Sequence, residues 1–293
     1  MNLWAMMPVR NEDWVLGLSA HAVLQWADSL VVLNHASTDG TDQILNQLQD
    51  EYRDRLSVLT ETDPQWNEMA HRQRMLEWAR GKGATHLAIV DADEVLTGNL
   101  LPTIRGMVEA APKGTILQLP WLCLRGSIHR YHTDGTWGQA NVSTAFQDEP
   151  RCHWTARDGY DFHHRHPCGR PVVNFRPVLH RDAGLMHLQF VSDRRLRAKQ
   201  LSYCLIEKLR WPNREPVDVV RRRYSVAVYG AENPTKQPHE LSRVPAEWWA
   251  PYSNLMHYLK PDSEPWQLEE CRRILAENPG IEKGLDDFGL GLF

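Results

Sequence analysis

Residues 86–96, HLAIVDADEVL, run from an apolar stretch directly into Asp91, Asp93 and Glu94. Carboxylates repel one another and are seldom buried without a partner. Such a knot is stable only at a solvated strand end or with positive charge among its members. Alternate residues of an extended chain point the same way, about 7 Å apart at about 3.3 Å per residue. On that spacing Asp91 and Asp93 would share one divalent ion, directly or through a water. Hard oxygen ligands select Mg²⁺ or Mn²⁺, which take one or two carboxylates and leave positions for waters and substrate phosphates. The competing explanation is a polar loop that caps the next helix, but three carboxylates within four residues exceed what a cap needs.

The elements around this knot follow from hydrophobic spacing. NLWAMMPV, SLVVLNH, RLSVLTE and THLAIVDADE read as four strands. Between them EDWVLGLSAHAVLQWA, STDGTDQILNQLQDEY and NEMAHRQRMLEWARGKG carry apolar residues at helical spacing. A β-α-β-α-β-α-β order predicts an α/β fold with a mostly parallel, Rossmann-like sheet and flanking helices. Ligands of such sheets bind beyond the carboxyl ends of the strands. Those ends carry PVRNE, NHASTDGT, TETD and DADE, three of them polar, turn-forming and acidic. Farther on, LLPTIRGMVEAAP reads as a helix and GTILQLPWLCLRG as a strand. From Ser127 to Asp182 regular patterning fails in a stretch rich in His, Trp, Arg and Pro. From Ser192 onward the pattern is helical. The expected organisation is an α/β domain over 1–190, followed by a helical C-terminal region over 191–293 packed on it.

Bulk properties narrow the partners. Charged residues make up 24% and hydrophobic ones 42% of the 293 residues, and the net charge is -4. That balance offers no general attraction for nucleic acid or anionic lipid. No apolar run approaches the roughly 20 residues that span a bilayer, and MNLWAMMPVRNE has neither the basic leader nor the apolar core of a signal peptide. Five cysteines without CxxC spacing predict reduced thiols and a cytoplasmic protein.

MPVRNE, NHASTDGT, MAHRQRML and VDADE, in this order, resemble the nucleotide-binding half of family-2 glycosyltransferases with the GT-A fold. The resemblance is close up to about residue 120 and looser beyond. It implies a GT-A-like domain, a nucleotide-sugar donor, a divalent metal (Mn²⁺ or Mg²⁺), and sugar transfer to a glycan or other hydroxyl acceptor, with inversion as the family default. It places Pro8, Asn11 and Glu12 beside the nucleoside. Asp39 matches the acidic residue of the STDGT turn, and Arg72 an arginine that reaches the nucleotide. Asp91 and Asp93 match the carboxylates for metal and ribose-diphosphate. Asn34 and His35 stand where the family often has two aspartates, replacing a carboxylate that would accept from uracil. A UDP-sugar is favoured, with the base left open.

Similar enzymes place a late His, then a Ser, then a Lys as in GLMHLQFVSDRRLRAKQL. On that likeness His187 completes the metal shell, and Lys199, or Arg194, Arg195 or Arg197, offsets diphosphate charge; the alternative is a strand-edge His and a solvated basic helix face. Inverting transfer needs a base near the acceptor hydroxyl. In RDGYDFHHRHPCGRP the first choices are Asp161 and Asp158, with Asp148, His163, His164 and His166 as rivals. The three histidines make a poor zinc site, because adjacent strand side chains face opposite ways and no thiolate pair joins them. Trp121, Trp137 and Trp154 could stack on a sugar ring, whereas Trp248, Trp249 and Trp266 read as packing residues. Two rival functions remain: a nucleotidyltransferase, disfavoured because PVRNEDW lacks the glycines of a phosphate loop, and a non-catalytic nucleotide-sugar or glycan-binding module.

Overall fold

The computed structural model describes residues 1–155, 165–169, 173–175, 181–229 and 240–285. Along the chain the elements are β1 (Leu3–Val9), α1 (Leu16–Val23), β2 (Ser29–His35), α2 (Thr41–Tyr52), β3 (Leu56–Glu61), α3 (Glu68–Gly81), β4 (His86–Ile89) and β5 (Glu94–Leu96). Next come α4 (Leu101–Ala110), β6 (Thr115–Cys123), β7 (Arg130–His132), α5 (Gly135–Gln139), β8 (Asn141–Gln147), β9 (Val173–Phe175) and β10 (Leu185–His187). The last are α6 (Asp193–Arg210), α7 (Val217–Tyr229), β11 (Leu241–Arg243), α8 (Ala246–Trp249) and α9 (Gln267–Glu277).

The chain forms two compact units. The first comprises Met1–Leu122, Ala140–His187 and Pro245–Lys260; the second comprises Cys123–Gln139, Leu188–Val244 and Pro261–Phe293. In the first, the strands run β3-β2-β1-β4-β8-β6-β10-β5, with β9 also paired to β6. β1 to β4 are parallel, as the alternating pattern requires. Alternate side chains of the central strands go to opposite faces. Leu3, Ala5, Met7, Leu30 and Val32 pack with Leu16, Ala20, Leu45, Leu48 and Ile104 of α1, α2 and α4. Trp4, Met6, Val31 and Leu33 pack with Met69, Met75, Leu76 and Ala79 of α3. A strand covered on both faces can be apolar throughout, which explains the unbroken run in β1.

Beyond β4 the sheet turns antiparallel: β8 pairs that way with both β4 and β6, and β10 with β5. The apparent single strand THLAIVDADE is two strands, β4 ending at Ile89 and β5 starting at Glu94. Asp91 and Asp93 lie in the turn between them, so the same-face spacing expected of an extended chain does not apply. The β5–β10 ladder pairs His187 with Glu94, which carries a residue 93 positions downstream of the knot to its side. β10 begins just after Gly184, where a Cβ would stand 2.3 Å from the Pro120 carbonyl oxygen. In the second unit, α6 packs on α7 and α9, and β7 pairs with β11. All five cysteines are buried and free of disulfides. Among the described residues no helix is long and apolar enough to cross a membrane.

Candidate active site

The loops after β1 and β2 are bound to each other before any ligand is considered. Asn11 adopts φ 54°, the left-handed region that asparagine tolerates better than most residues. Its backbone N–H donates to Ser37 Oγ at 2.9 Å, and its Oδ1 accepts from Thr38 N at 2.6 Å. Glu12 N donates to Thr41 Oγ1 at 3.0 Å. Asp39 accepts from Asp13 N and Thr41 N at 3.2 and 3.0 Å, and Gly40 N donates to Asp13 at 3.3 Å. Burial and the neighbouring Asp39 carboxylate push the Asp13 pKa up. Asn11, Glu12 and Asp39 thus belong to one cross-tied rim at the carboxyl ends of β1 and β2, while Pro8 lies within β1, paired with Leu33.

The acidic knot contains its own cations. Arg72, on α3, donates from Nε to Glu68 at 2.7 Å and from Nη2 to Asp91 Oδ1 at 3.1 Å. Arg165 enters from the other side of the knot in sequence. Its Nη1 meets Asp91 Oδ2 at 2.8 Å and Glu94 Oε1 and Oε2 at 2.9 and 3.0 Å. Its Nη2 donates to the Ile89 carbonyl at 2.7 Å and to Glu94 Oε2 at 3.0 Å, while Nε reaches the Ser143 carbonyl at 3.2 Å. Glu94 also accepts the Asp91 backbone N–H at 2.9 Å and the Trp121 indole N–H at 2.9 Å.

The two carboxylates respond differently. Burial acts to raise the Asp91 pKa, but Arg165 and Arg72 outweigh it and the pKa is lowered. Glu94 is raised, because its fully buried side chain loses more hydration than Arg165 returns. Burial disfavours the charged Arg72, yet Glu68 and Asp91 hold it firmly protonated. Its Nη1 is buried with no hydrogen-bond partner among the described residues.

Asp93 points elsewhere. Its Oδ2 stands 3.5 Å from His187 Nε2, both side chains being 6% exposed. The His187 ring stacks on Trp121, centroids 4.3 Å apart and planes 17° from parallel. Trp121, expected to face a sugar, instead lies against this imidazole and holds Glu94. Neighbouring ligands of a six-coordinate ion with bonds of about 2.1 Å stand about 3 Å apart. A carboxylate oxygen and an imidazole nitrogen at 3.5 Å therefore fit one divalent ion that takes its other positions from waters and phosphate. Asp91 does not join them: both its oxygens are held by arginines, and no group of three His, Cys, Asp or Glu side chains suited to a metal exists among the described residues.

The remaining candidates divide. Asn34 Nδ2 donates to Asp42 at 2.5 Å, leaving its buried Oδ1 without a partner among the described residues. His35 Nε2 donates to the Asp63 carbonyl at 2.8 Å, so the lone pair of the neutral ring sits on Nδ1, also unpartnered there. Its ring is 4.6 Å from that of His71, a neighbour that sequence reasoning did not single out. Asp148, a rival for the base, is bound bidentately by Arg80 at 2.7 and 2.8 Å. Trp154 is buried in the core beside Phe146, and Trp137 lies against Phe190 in the second unit. Trp248 is fully buried and donates to the Asp182 carbonyl at 2.7 Å. Lys199 is on α6 of the second unit. Asp158, Asp161, His163 and His164 lie outside the described residues; His166 rests beside Ser143 Oγ at 3.2 Å. Arg165, Glu68 and Ser143 went unrecognised in the sequence, although the unpaired charge of the knot itself asked for a cation.

A family model, Glycosyl transferase family 2, matches residues 4–162, more than half of the 293-residue chain. No curated protein matches. Solved structures show distant likeness. The S. aureus TarS 1–349 structure is 10% identical, with 78% of this chain and 72% of that one covered and a TM-score of 0.41. The same protein in complex with UDP is 16% identical over 41% of this chain and 36% of that one, TM-score 0.34, so this match spans about a third of that chain. The mannosyltransferase PcManGT from Pyrobaculum calidifontis, in complex with GDP-Man and Mn²⁺, is 13% identical over 94% and 74%, TM-score 0.42. Likeness at that distance bears no weight for activity; the family match, with the parallel strands and rim loops it covers, does assign the chain. The protein belongs to glycosyl transferase family 2, a family of enzymes, and its α/β architecture is of the GT-A kind.

Proposed function

We propose that the protein transfers a sugar from a nucleotide-sugar donor to a hydroxyl-bearing acceptor, with inversion, and that the donor diphosphate lies at the turn holding Asp91 and Asp93. The observation that supports this reading best is the Asp93–His187 pair, 3.5 Å apart and placed beside the carboxyl end of β4. These two side chains would hold Mn²⁺ or Mg²⁺ together with donor phosphate oxygens and waters. When bound, such an ion neutralises charge on the departing diphosphate.

The chain's own residues do the rest. The Trp121 stack fixes the His187 ring, so its Nε2 faces Asp93 without side-chain reorganisation. Arg72, anchored by Glu68 and Asp91, is a fixed positive charge beside the turn that would receive the diphosphate. Preorganised cations of this kind stabilise charge where it develops. The base would lie at the end of β2, near Asn34 and the buried His35, and a UDP-sugar is the first donor to test. Asp161 or Asp158 is assigned as the base that deprotonates the acceptor. Five buried cysteines, none of them in a disulfide, support a reducing, cytoplasmic setting.

The test is release of nucleoside diphosphate from a panel of nucleotide sugars with and without Mn²⁺. Asp93→Asn should lower the rate about 100-fold or more, the scale of losing a main charge-stabilising group. Full activity in chelator would remove the metal role. Tight donor binding without any turnover would favour a binding module instead.

A further inference from the structure

Arg165 occupies an oxygen-lined position that resembles a cation site more than a surface ion pair. Five oxygens surround its guanidinium: Asp91 Oδ2, both oxygens of Glu94, and the carbonyls of Ile89 and Ser143, at 2.7 to 3.2 Å. Its side chain is 13% exposed and that of Glu94 is not exposed at all. Hard divalent ions choose the same ligand chemistry, carboxylates plus backbone carbonyls. A guanidinium differs in two respects that matter here. It carries one charge rather than two, and its planar fork needs several acceptors spread along its edges, which Glu94 and Asp91 supply. Arg165 also lies just past the segment matched by the family model, which ends at residue 162.

We infer that Arg165 is a built-in cation that competes with divalent metal for the acidic knot, holding Asp91 away from Asp93 and His187 and so setting a weak metal affinity in the absence of donor. Arg165 is thus a positioning residue: it acts through Asp91 and Glu94. The knot near Asp93 comprises Glu68, Asp91 and Glu94 against Arg72 and Arg165. Removing Arg165 would make that surrounding more negative by one charge and free Asp91 Oδ2 as a third ligand. Both changes strengthen metal binding, because ligand number and charge set affinity at such sites. The inference rests on the reading of Asp93 and His187 as the metal pair.

The experiment titrates Mn²⁺ alone, without nucleotide, into the full chain and follows the spectrum of free Mn²⁺ by electron paramagnetic resonance. Arg165→Gln should bind Mn²⁺ about ten-fold more tightly or better than the wild type, in line with the gain of one charged ligand. Arg165→Lys, which keeps the charge but cannot span both carboxylates, should fall between. It also preserves the test if Arg165→Gln fails to fold. Adding Asp91→Asn should return the affinity of Arg165→Gln to that of the wild type and bring that of Arg165→Lys to the wild-type value or below it. Equal or weaker binding in the folded variants, or tight binding that survives Asp91→Asn, overturns the inference. Asp93→Asn in the wild type and in Arg165→Lys separates the two levels. If it leaves Mn²⁺ binding untouched, the metal-pair reading fails. If it abolishes binding while Arg165 variants change nothing, only the role of Arg165 falls.

Discussion

Two imidazoles meet at the end of β2 and the start of α3, and their environment decides their charge. His71 is 4% exposed; burial, and then the nearby His35, lower its pKa to about 4, despite the opposing pull of Glu61 and Glu68. His35 is lowered as well, by burial first and by Arg10 second. Both rings are therefore neutral at pH 7, and the neutral His35 ring carries its lone pair on Nδ1. The stability consequence has a definite sign. An unfolded His binds a proton near pH 6.5, whereas folded His71 does so only near 4. Between those values the unfolded chain holds more protons, so stability falls as pH drops from about 6.5 toward 4 and then levels off. Each tenfold change in proton affinity is worth about 1.36 kcal/mol, so after solvent screening the contribution is on the order of 2 kcal/mol. Urea midpoints of wild type and His71→Gln, measured at pH 7 and pH 5, should converge on acidification, because the variant lacks this group. A constant difference between the two proteins would show that His71 does not titrate in this way.

At the scale of elements, the three-residue β10 does the work of bringing His187 to the knot, and its position depends on a close approach. A Cβ at residue 184 would meet the Pro120 carbonyl oxygen at 2.3 Å and further Pro120 atoms at 3.1 Å. Backbone cannot yield there as a flexible side-chain tip would, so Gly184→Ala must move β10 away from β6. Overpacking of this kind costs about 1–3 kcal/mol. The more telling outcome is functional: Mn²⁺ affinity should drop even in preparations kept well below their melting temperature, since Asp93 and His187 are separated. Unchanged affinity would mean that β10 has slack to absorb the shift. This dependence also shows what a sequence exposes and what it hides. β1 to β3 were legible because each is an apolar run followed by a helix of matching period, β4 because it is an apolar run just after the third such helix, and the rim motifs stand at their ends. The same reasoning misread DADE as the tail of one strand. A turn within two or three residues has no periodicity to detect, and it sends Asp91 to the arginines and Asp93 to His187. Nor does composition show which strand β10 pairs with, because three apolar-leaning residues fit any edge. Arg165 was hidden for a related reason: its carboxylate partners lie more than 70 positions away, and nothing in RDGYDFHHRHPCGRP indicates which of its basic residues turns inward.

The whole molecule adds a constraint that single sites do not. The chain forms two compact units, and the residues assigned to donor and metal, Asp91, Asp93, His187, Arg72 and the rim, all belong to the first. A ligand that binds only the folded state stabilises by RT ln(1 + [L]/Kd), about 2.7 kcal/mol at 100 times Kd. For a domain of 150–250 residues, 1 kcal/mol moves the melting temperature by about 2–4 °C, so saturating donor product should raise it by roughly 5 °C or more. Because the knot already holds two arginines, Mn²⁺ alone is expected to shift it little, and UDP alone to meet Arg72 without the second cation its diphosphate needs. The two together should exceed the sum of their separate shifts, and Asp93→Asn should abolish that excess while leaving the unliganded melting temperature close to that of the wild type. If heating separates the units into two transitions, the ligand-dependent shift belongs to the one lost when the parallel sheet unfolds, identified by the fluorescence of the core residue Trp4 in variants retaining that tryptophan alone. A UDP shift of full size in chelator would instead assign the whole diphosphate to Arg72 and Arg165, and the chain would bind its nucleotide through arginines rather than metal.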